Sequence, residues 1–318
     1  MLINHWRKIS LAAFVLLLYL FFFGPLRWIG LSLIERGGPR WIETDRTPHW
    51  LQAALSRQAY RISEKMSWQS LLPGFETAIL LVNADDDVLE KIHLLRVDPA
   101  RFKFSVHVDP PAYRDADEWI DELAALAVIN GSYYTSSGYP ATPVKSMNGI
   151  FGPADYIATH GAFATGAQGA RIVDLAGIAW PALFESSEQV MLSYPLLFDA
   201  SGKSRVHARE DWYANRSFIA MDRSGQMVLG CTERAFFSLP SLGKFLQTAP
   251  LDLELALNLD GGPVASLAIR AAGHSTTVYG KWEFQKQADK LISLEAGRRS
   301  KKWSLPIVLA VTPKIKLP

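Results

Sequence analysis

The chain has 318 residues, 49% of them hydrophobic, and a formal net charge of +2. That length permits two domains of ~100–200 residues or one large α+β domain, and the apolar share is enough for a sizeable core. A charge so near neutrality, with no dense Lys/Arg stripe, excludes a nucleic-acid footprint, and the single cysteine, Cys231, excludes an internal disulfide and a cysteine zinc site.

The N-terminus carries the targeting signal. Arg7 and Lys8 precede an apolar run from Ile9 to Leu26 in which Ser10 is the only polar residue. At ~1.5 Å per residue a helix over this run nearly crosses a hydrocarbon core of ~30 Å. Pro25, Arg27 and Trp28 make a poor cleavage site, so the run reads as an uncleaved transmembrane helix, with a cleaved signal as the alternative. Charges followed by an apolar core orient the rest of the chain outside the cytoplasm. The expectation is a single-pass inner-membrane protein whose catalytic domain lies in the periplasm or outside the cell. Residues 1–34 are then the anchor, 35–74 a linker with a short helix, and 75–318 the functional domain. Gly37, Gly38, Pro39 and Pro48 break the linker, and "HWLQAALSRQAYRISEKM" reads as the amphipathic helix.

From residue 75 strand signals dominate. "FETAILLV", a turn at Asp85–Asp87, "VLEKIHLLRVD" and "RFKFSVHV" read as three strands. The three aspartates lack EF-hand spacing and read as a solvated turn. "YRDADEWIDELAAL" is a helix capped by Asp115 or Asp117, and "AVIN" is a strand that stops at Gly131. The middle of the chain is rich in small residues. Then "SFIAMD–RSGQ–MVLGCT" reads as a hairpin, "SLPSLGKFLQ" as a helix opened by Ser238 or Ser241, and "LELALNLD", "SLAIRAAGHSTTVYG" and "LPIVLAVTP" as strands. Strands outnumber helices, connections are short, and no G-x-G-x-x-G or P-loop occurs. The pattern predicts an α+β fold with one large, mixed but mainly antiparallel sheet and flanking helices.

Four segments join strand ends, glycines and polar side chains: residues 127–150, 190–205, 215–230 and 255–269. Each alone reads as a turn, since Asn-Gly and Asp-Gly are hairpin dipeptides. As an ordered set they read differently. Asn130-Gly131-Ser132 precedes the paired Tyr133 and Tyr134, and a second Asn-Gly follows at Asn148-Gly149. A Pro-Leu segment with a small-residue turn spans Ser193–Lys203. Arg216 opens a strand that turns at Asp222 and Gly225, and Asn258-Leu259-Asp260-Gly261-Gly262 ends another. This set resembles the phosphodiester glycosidase family, whose bacterial relatives are often labelled exopolysaccharide-biosynthesis proteins. The resemblance covers roughly residues 75–313. The chain departs from the family after Gly262, where Pro263-Val264-Ala265 stands in place of small and hydroxyl residues; this leaves the substrate's identity open.

The resemblance implies hydrolysis of the bond between a sugar's anomeric carbon and a phosphate oxygen, in sugar-1-phosphodiesters of an envelope or exported polysaccharide. A phosphomonoester leaving group is a weak base and needs little protonation. A carboxylate is still required to stabilise oxocarbenium charge, act as nucleophile or activate water. Asp260 is that candidate, with Asn130 and Arg216 as its catalytic companions. Gly261 and Gly262 would let backbone N–H groups approach the substrate. Arg216 would pair with phosphate bidentately. Gly131, Asn148, Asn258, Tyr134 and Lys145 complete the expected substrate contacts; Tyr133 competes with Tyr134 for the sugar-stacking role. The histidines (His93, His107, His160, His207 and His274) show no metal-ligand spacing. A divalent cation on Asp260 and asparagine oxygens would help neutralise phosphate, but no cofactor is required by the sequence. Two rivals stay open: a non-catalytic glycan-binding or scaffolding protein assisting polysaccharide export, and a phosphodiesterase that breaks the P–O bond on the other side.

Overall fold

The computed structural model describes residues 16, 19–20, 40–42, 48–56, 59–62, 66–111, 114–167, 169–287, 290–293 and 302–314. The expected anchor therefore lies outside the described residues apart from Leu16, Tyr19 and Leu20, and among the described residues no helix is long and apolar enough to cross a membrane.

Strands dominate, and the described residues form four sheets in place of the one large mixed sheet expected. The largest runs, in spatial order, Leu196–Phe198, Leu253–Asn258, Ser217–Asp222, Met227–Thr232, Asp87–Val97, Phe75–Ala84 and Arg61–Ile62, with Gln69–Leu72 also pairing on Phe75–Ala84. A second sheet orders His274–Tyr279, Ser266–Ala271, Ala127–Asn130, Ile307–Pro313 and Phe102–Val108. A third orders Gly169–Asp174, Gly161–Gly166, Gln189–Ser193, Val144–Ser146 and Gly149–Phe151. A small fourth joins Arg40–Ile42, Lys290–Ser293, Glu283–Gln287 and Trp212–Ala214. Every described pair is antiparallel, so the sheets are not mixed.

Alternation along the strands sorts the core into layers. Ile219, Leu229, Leu257 and Leu95 leave the largest sheet on one face and meet Phe104, Ile129, Leu267 and Leu309 of the second sheet and Phe163 and Met191 of the third. Phe218, Ala220, Val228 and Leu94 leave the opposite face and pack under helices His49–Ser56 and Leu239–Thr248. Helix Ala116–Glu122 covers the outer face of the second sheet at Val128, Ala268 and Val308, and helix Trp180–Ser186 covers the third at Ala162 and Val190. The largest sheet is thus buried on both faces. Its strands read as continuous apolar runs, which hides from the sequence where one sheet ends and the next begins.

Asp115 caps its helix with a capping box closed by Glu118, and Ser238 caps the Leu239–Thr248 helix. The helix after the expected linker is shorter than its apolar pattern suggested. It ends at Ser56, and Arg61–Ile62 then joins the largest sheet while Tyr60 packs edge-on against Phe236 and Phe237. Residues 35–74 therefore also supply sheet edges and core.

Candidate active site

The site forms where strand ends from the four sheets meet. Strand Leu253–Asn258 leads into Asp260, and the main chain of Asp260 is held from both sides. Its N–H donates to Gly131 O at 3.1 Å. Its carbonyl accepts from Asn130 Nδ2 at 2.8 Å and from Ser217 Oγ at 2.9 Å. Among the described residues the carboxylate is left with a single bond, Gly261 N–H to Oδ1 at 2.9 Å. Burial pushes its pKa up to about 7; the Glu283 carboxylate adds to the rise, while the Gly261 N–H and the Arg216 guanidinium oppose it.

The two glycines after Asp260 serve packing. A Cβ on Gly261 would lie 2.9 Å from Asn215 O. Gly262 has φ +66, and a Cβ there would lie 2.8 Å from Glu283 Oε2. Gly262 N–H donates to Asn215 O at 2.8 Å. Both glycine N–H groups are therefore committed inside the protein, to Asp260 Oδ1 and Asn215 O, and neither is the free donor toward substrate that the sequence suggested. The loop needs the close approach of strands that only glycine allows.

Arg216 is 5% exposed. Its Nε donates to Phe237 O at 3.2 Å and its Nη2 to Trp212 O at 2.9 Å. Those bonds occupy the side-on edge of the fork expected for bidentate phosphate binding and leave Nη1 without a hydrogen bond among the described residues. Burial lowers the guanidinium's pKa, while Tyr133, Glu283 and Asp260 favour its charge. A cation is thus pinned beside two carboxylates. The second, Glu283, begins a strand of the small sheet and accepts from Trp212 Nε1 at 2.8 Å.

Tyr133 and Tyr194 stack with centroids 4.3 Å apart and planes 20° apart, and Tyr194 is 37% exposed. Asn258 Nδ2 donates to Tyr133 Oη at 2.8 Å, and also faces Leu259 O at 2.6 Å and Tyr194 O at 3.2 Å. The Asn258 oxygen is buried without a hydrogen-bond partner among the described residues. Burial raises the Tyr133 pKa far above the usual phenol range, with Asp260 adding to the rise and Arg216 opposing it. The His160 ring lies with its centroid 6.2 Å from that of Tyr194, and its Nδ1 is buried without a partner among the described residues.

Asp260, Asn130, Gly131, Arg216, Asn258, Gly261 and Gly262 converge, as the ordered motifs implied. Three expected contacts stand elsewhere. Tyr134 is half-buried against the core, and Tyr133 takes the place by the site. Lys145 donates through Nζ to Phe184 O at 2.6 Å and Ser187 O at 2.7 Å, tying down a helix end. Asn148 is exposed in a hairpin turn. Register explains both: Lys145 pairs with Val190, so that turn lies toward the Gln189 end of the strand, whereas the site takes the Ser193–Tyr194 end, ~16 Å away at ~3.3 Å per residue. Of the oxygens offered to a divalent cation, that of Asn130 is taken. Asn130 Oδ1 accepts Ser266 N–H at 3.0 Å, and the described residues hold no group of three or more His, Cys, Asp or Glu that could bind a metal.

Glu283, Tyr194, Ser217 and Asn215 escaped the sequence reading. Asn215 and Ser217 flank Arg216, and Tyr194 lies in the Pro-Leu segment, so the motifs pointed near them. Glu283 stands in "GKWEFQ" with no motif. Its faint signal is Gly280, where a Cβ would come within 2.1 Å of Gly262 O.

A model of the phosphodiester glycosidase family matches residues 124–294. The chain belongs to the phosphodiester glycosidase family. The matched span contains every residue of the site from Asn130 to Glu283. Two solved structures share the fold. The catalytic domain of zebrafish N-acetylglucosamine-1-phosphodiester alpha-N-acetylglucosaminidase, auto-inhibited by its pro-peptide, aligns with a TM-score of 0.58 at 17% identity, over 88% of this chain and 96% of that one. A hypothetical protein from Synechocystis aligns with a TM-score of 0.52 at 14% identity, over 79% of this chain and 64% of that one. No curated protein matches the chain.

Proposed function

We propose that this phosphodiester glycosidase is a hydrolase that cleaves the glycosidic bond of sugar-1-phosphodiesters, releasing free sugar and a phosphomonoester. The observation that carries the reading is Asp260: a desolvated carboxylate with its pKa lifted to about 7, beside a buried arginine and a second carboxylate. A base with a pKa near neutrality takes a proton most effectively at working pH. In the reaction, water attacks the anomeric carbon and gives its proton to Asp260. The C1–O bond breaks and its electron pair leaves with the phosphate oxygen. Arg216 opposes the negative charge that builds in the site. Glu283 raises the basicity of Asp260 by like-charge repulsion. Asn130, Asn258, Ser217 and Gly131 hold the loop; the side-chain bonds of Asn130 all run within the protein, which makes it a positioning residue.

The apolar run after Arg7 and Lys8 supports membrane anchorage with the catalytic domain in the periplasm or outside the cell, acting on envelope or exported polysaccharide. The test is incubation of the detergent-solubilised full chain with a panel of sugar-1-phosphodiesters, beside Asp260→Asn. Free sugar from the unaltered protein alone supports the reading. Sugar phosphate as product would instead mean P–O cleavage. Sugar binding by both proteins with no turnover would mean a glycan-binding protein assisting export.

A further inference from the structure

Hydrogen-bond accounting around Asn258 assigns the direction of one further proton. The Asn258 amide nitrogen lies 2.6 Å from Leu259 O and 3.2 Å from Tyr194 O. Flipping the amide would set its oxygen against both carbonyls, so its orientation is fixed. The same nitrogen lies 2.8 Å from Tyr133 Oη. Tyr133 must therefore accept from Asn258, and its own O–H proton finds no acceptor among the described residues. Stacking on Tyr194 holds the ring. The hydroxyl interacts electrostatically with both Asp260 and Arg216, yet it hydrogen-bonds neither. A hydroxyl that accepts from Asn258, keeps its own proton unengaged among the described residues and feels the charges of both Asp260 and Arg216 is placed to meet an oxygen that arrives with substrate.

Resting on the hydrolysis proposed above, we infer that Tyr133 is a catalytic residue whose hydroxyl donates a hydrogen bond to the glycosidic oxygen as that oxygen departs with the phosphate. Charge accumulates on this oxygen as C1–O breaks, and a fixed donor gains strength there as it does so. No proton is transferred: the phosphomonoester leaves with the bonding pair, water's oxygen bonds C1, water's proton goes to Asp260, and Tyr133 keeps its own.

The test uses the full chain and a series of sugar-1-phosphodiesters whose released phosphate esters range from alkyl, the more basic, to aryl. Tyr133→Phe, which keeps the ring, should lower kcat on alkyl esters by about 10²–10³-fold, the loss typical of an oxyanion donor. KM should change little, and aryl esters should lose less. A kcat within about threefold of the unaltered protein overturns the inference. So does a loss equal for every ester, which would place the hydroxyl on the sugar or in a merely structural role. If Tyr133→Phe fails to fold, 3-fluorotyrosine at position 133 retains the bond from Asn258 and donates more strongly; it should raise the alkyl-to-aryl ratio of kcat, and an unchanged ratio overturns the inference. An unaltered protein that releases no free sugar overturns the hydrolysis reading itself, an outcome distinct from the others.

Discussion

Asp260 and Glu283 repel one another electrostatically, and Glu283 packs on the glycine loop after Asp260, where a Cβ on Gly262 would lie 2.8 Å from its Oε2. Their electrostatic coupling makes a prediction with a definite sign. The acidic limb of kcat/KM reports the ionisation of Asp260 in the free enzyme and should lie at about pH 7. Glu283→Gln removes a negative neighbour while keeping an acceptor for Trp212 Nε1, so the limb should move to lower pH; a limb that stays in place would remove Glu283 from the reaction. The same shift acts on stability. A carboxyl whose folded pKa is raised binds more protons folded than unfolded between ~4 and 7, so its contribution falls as pH rises through that window. Asp260→Asn removes that loss. The variant should melt like the unaltered protein below about pH 4 and a few degrees higher above pH 7, while turning over no substrate. Melting curves at several pH values check it, and a difference independent of pH would mean that Asp260 is not desolvated as described.

At the scale of elements, strand ends make the site, and register decides which residues reach it. Asn148→Ala should leave kcat/KM within about twofold, because its turn hangs from the opposite end of the strand that leads to Tyr194; a tenfold loss would contradict the register. Gly262→Ala should behave differently. A side chain at φ +66 costs ~1–2 kcal/mol, and its Cβ would push on Glu283 at 2.8 Å. The expected result is a modest fall in melting temperature with a much larger fall in kcat, read from thermal melts beside kinetics. Legibility follows the same logic. Asp115, Ser238 and the Ser217–Thr232 hairpin were legible because caps and tight turns are local chemistry. Asp260 was legible because its motif is contiguous. Glu283, Tyr194 and the choice of Tyr133 over Tyr134 beside Asp260 were not, since their places depend on pairings between distant strands. The glycine roles were misread for the same reason: the atoms that forbid a Cβ belong to Asn215 and Glu283, far off in sequence.

At the scale of the molecule, the site depends on strands outside the family match. Ala127–Asn130, which ends in the Asn130 brace, pairs on one side with Ile307–Pro313, and that strand pairs in turn with Phe102–Val108; both flanking strands lie outside residues 124–294. The largest sheet likewise reaches back to Arg61–Ile62 and Gln69–Leu72. The helix His49–Ser56 buries Leu51 completely, with Ala53 and Ala54, beneath that sheet. Full burial of one leucine contributes about 1.5–3 kcal/mol, and unpairing two strands exposes both edge backbone and the apolar cluster around Leu80, Val82 and Leu89. Two truncations therefore have different expected outcomes. A chain lacking residues 1–38 should keep the melting temperature of the full chain within a few degrees. A chain lacking residues 1–74 should melt more than ~10 °C lower or aggregate, since a loss of several kcal/mol moves a domain of this size that far. Equal melting of the two would mean that residues 39–74 are only a tether between anchor and domain. Unequal melting would mean that the segment following the apolar N-terminal run is built into the sheet whose other strands deliver Arg216 and Asp260, leaving little slack between that segment and the reacting groups.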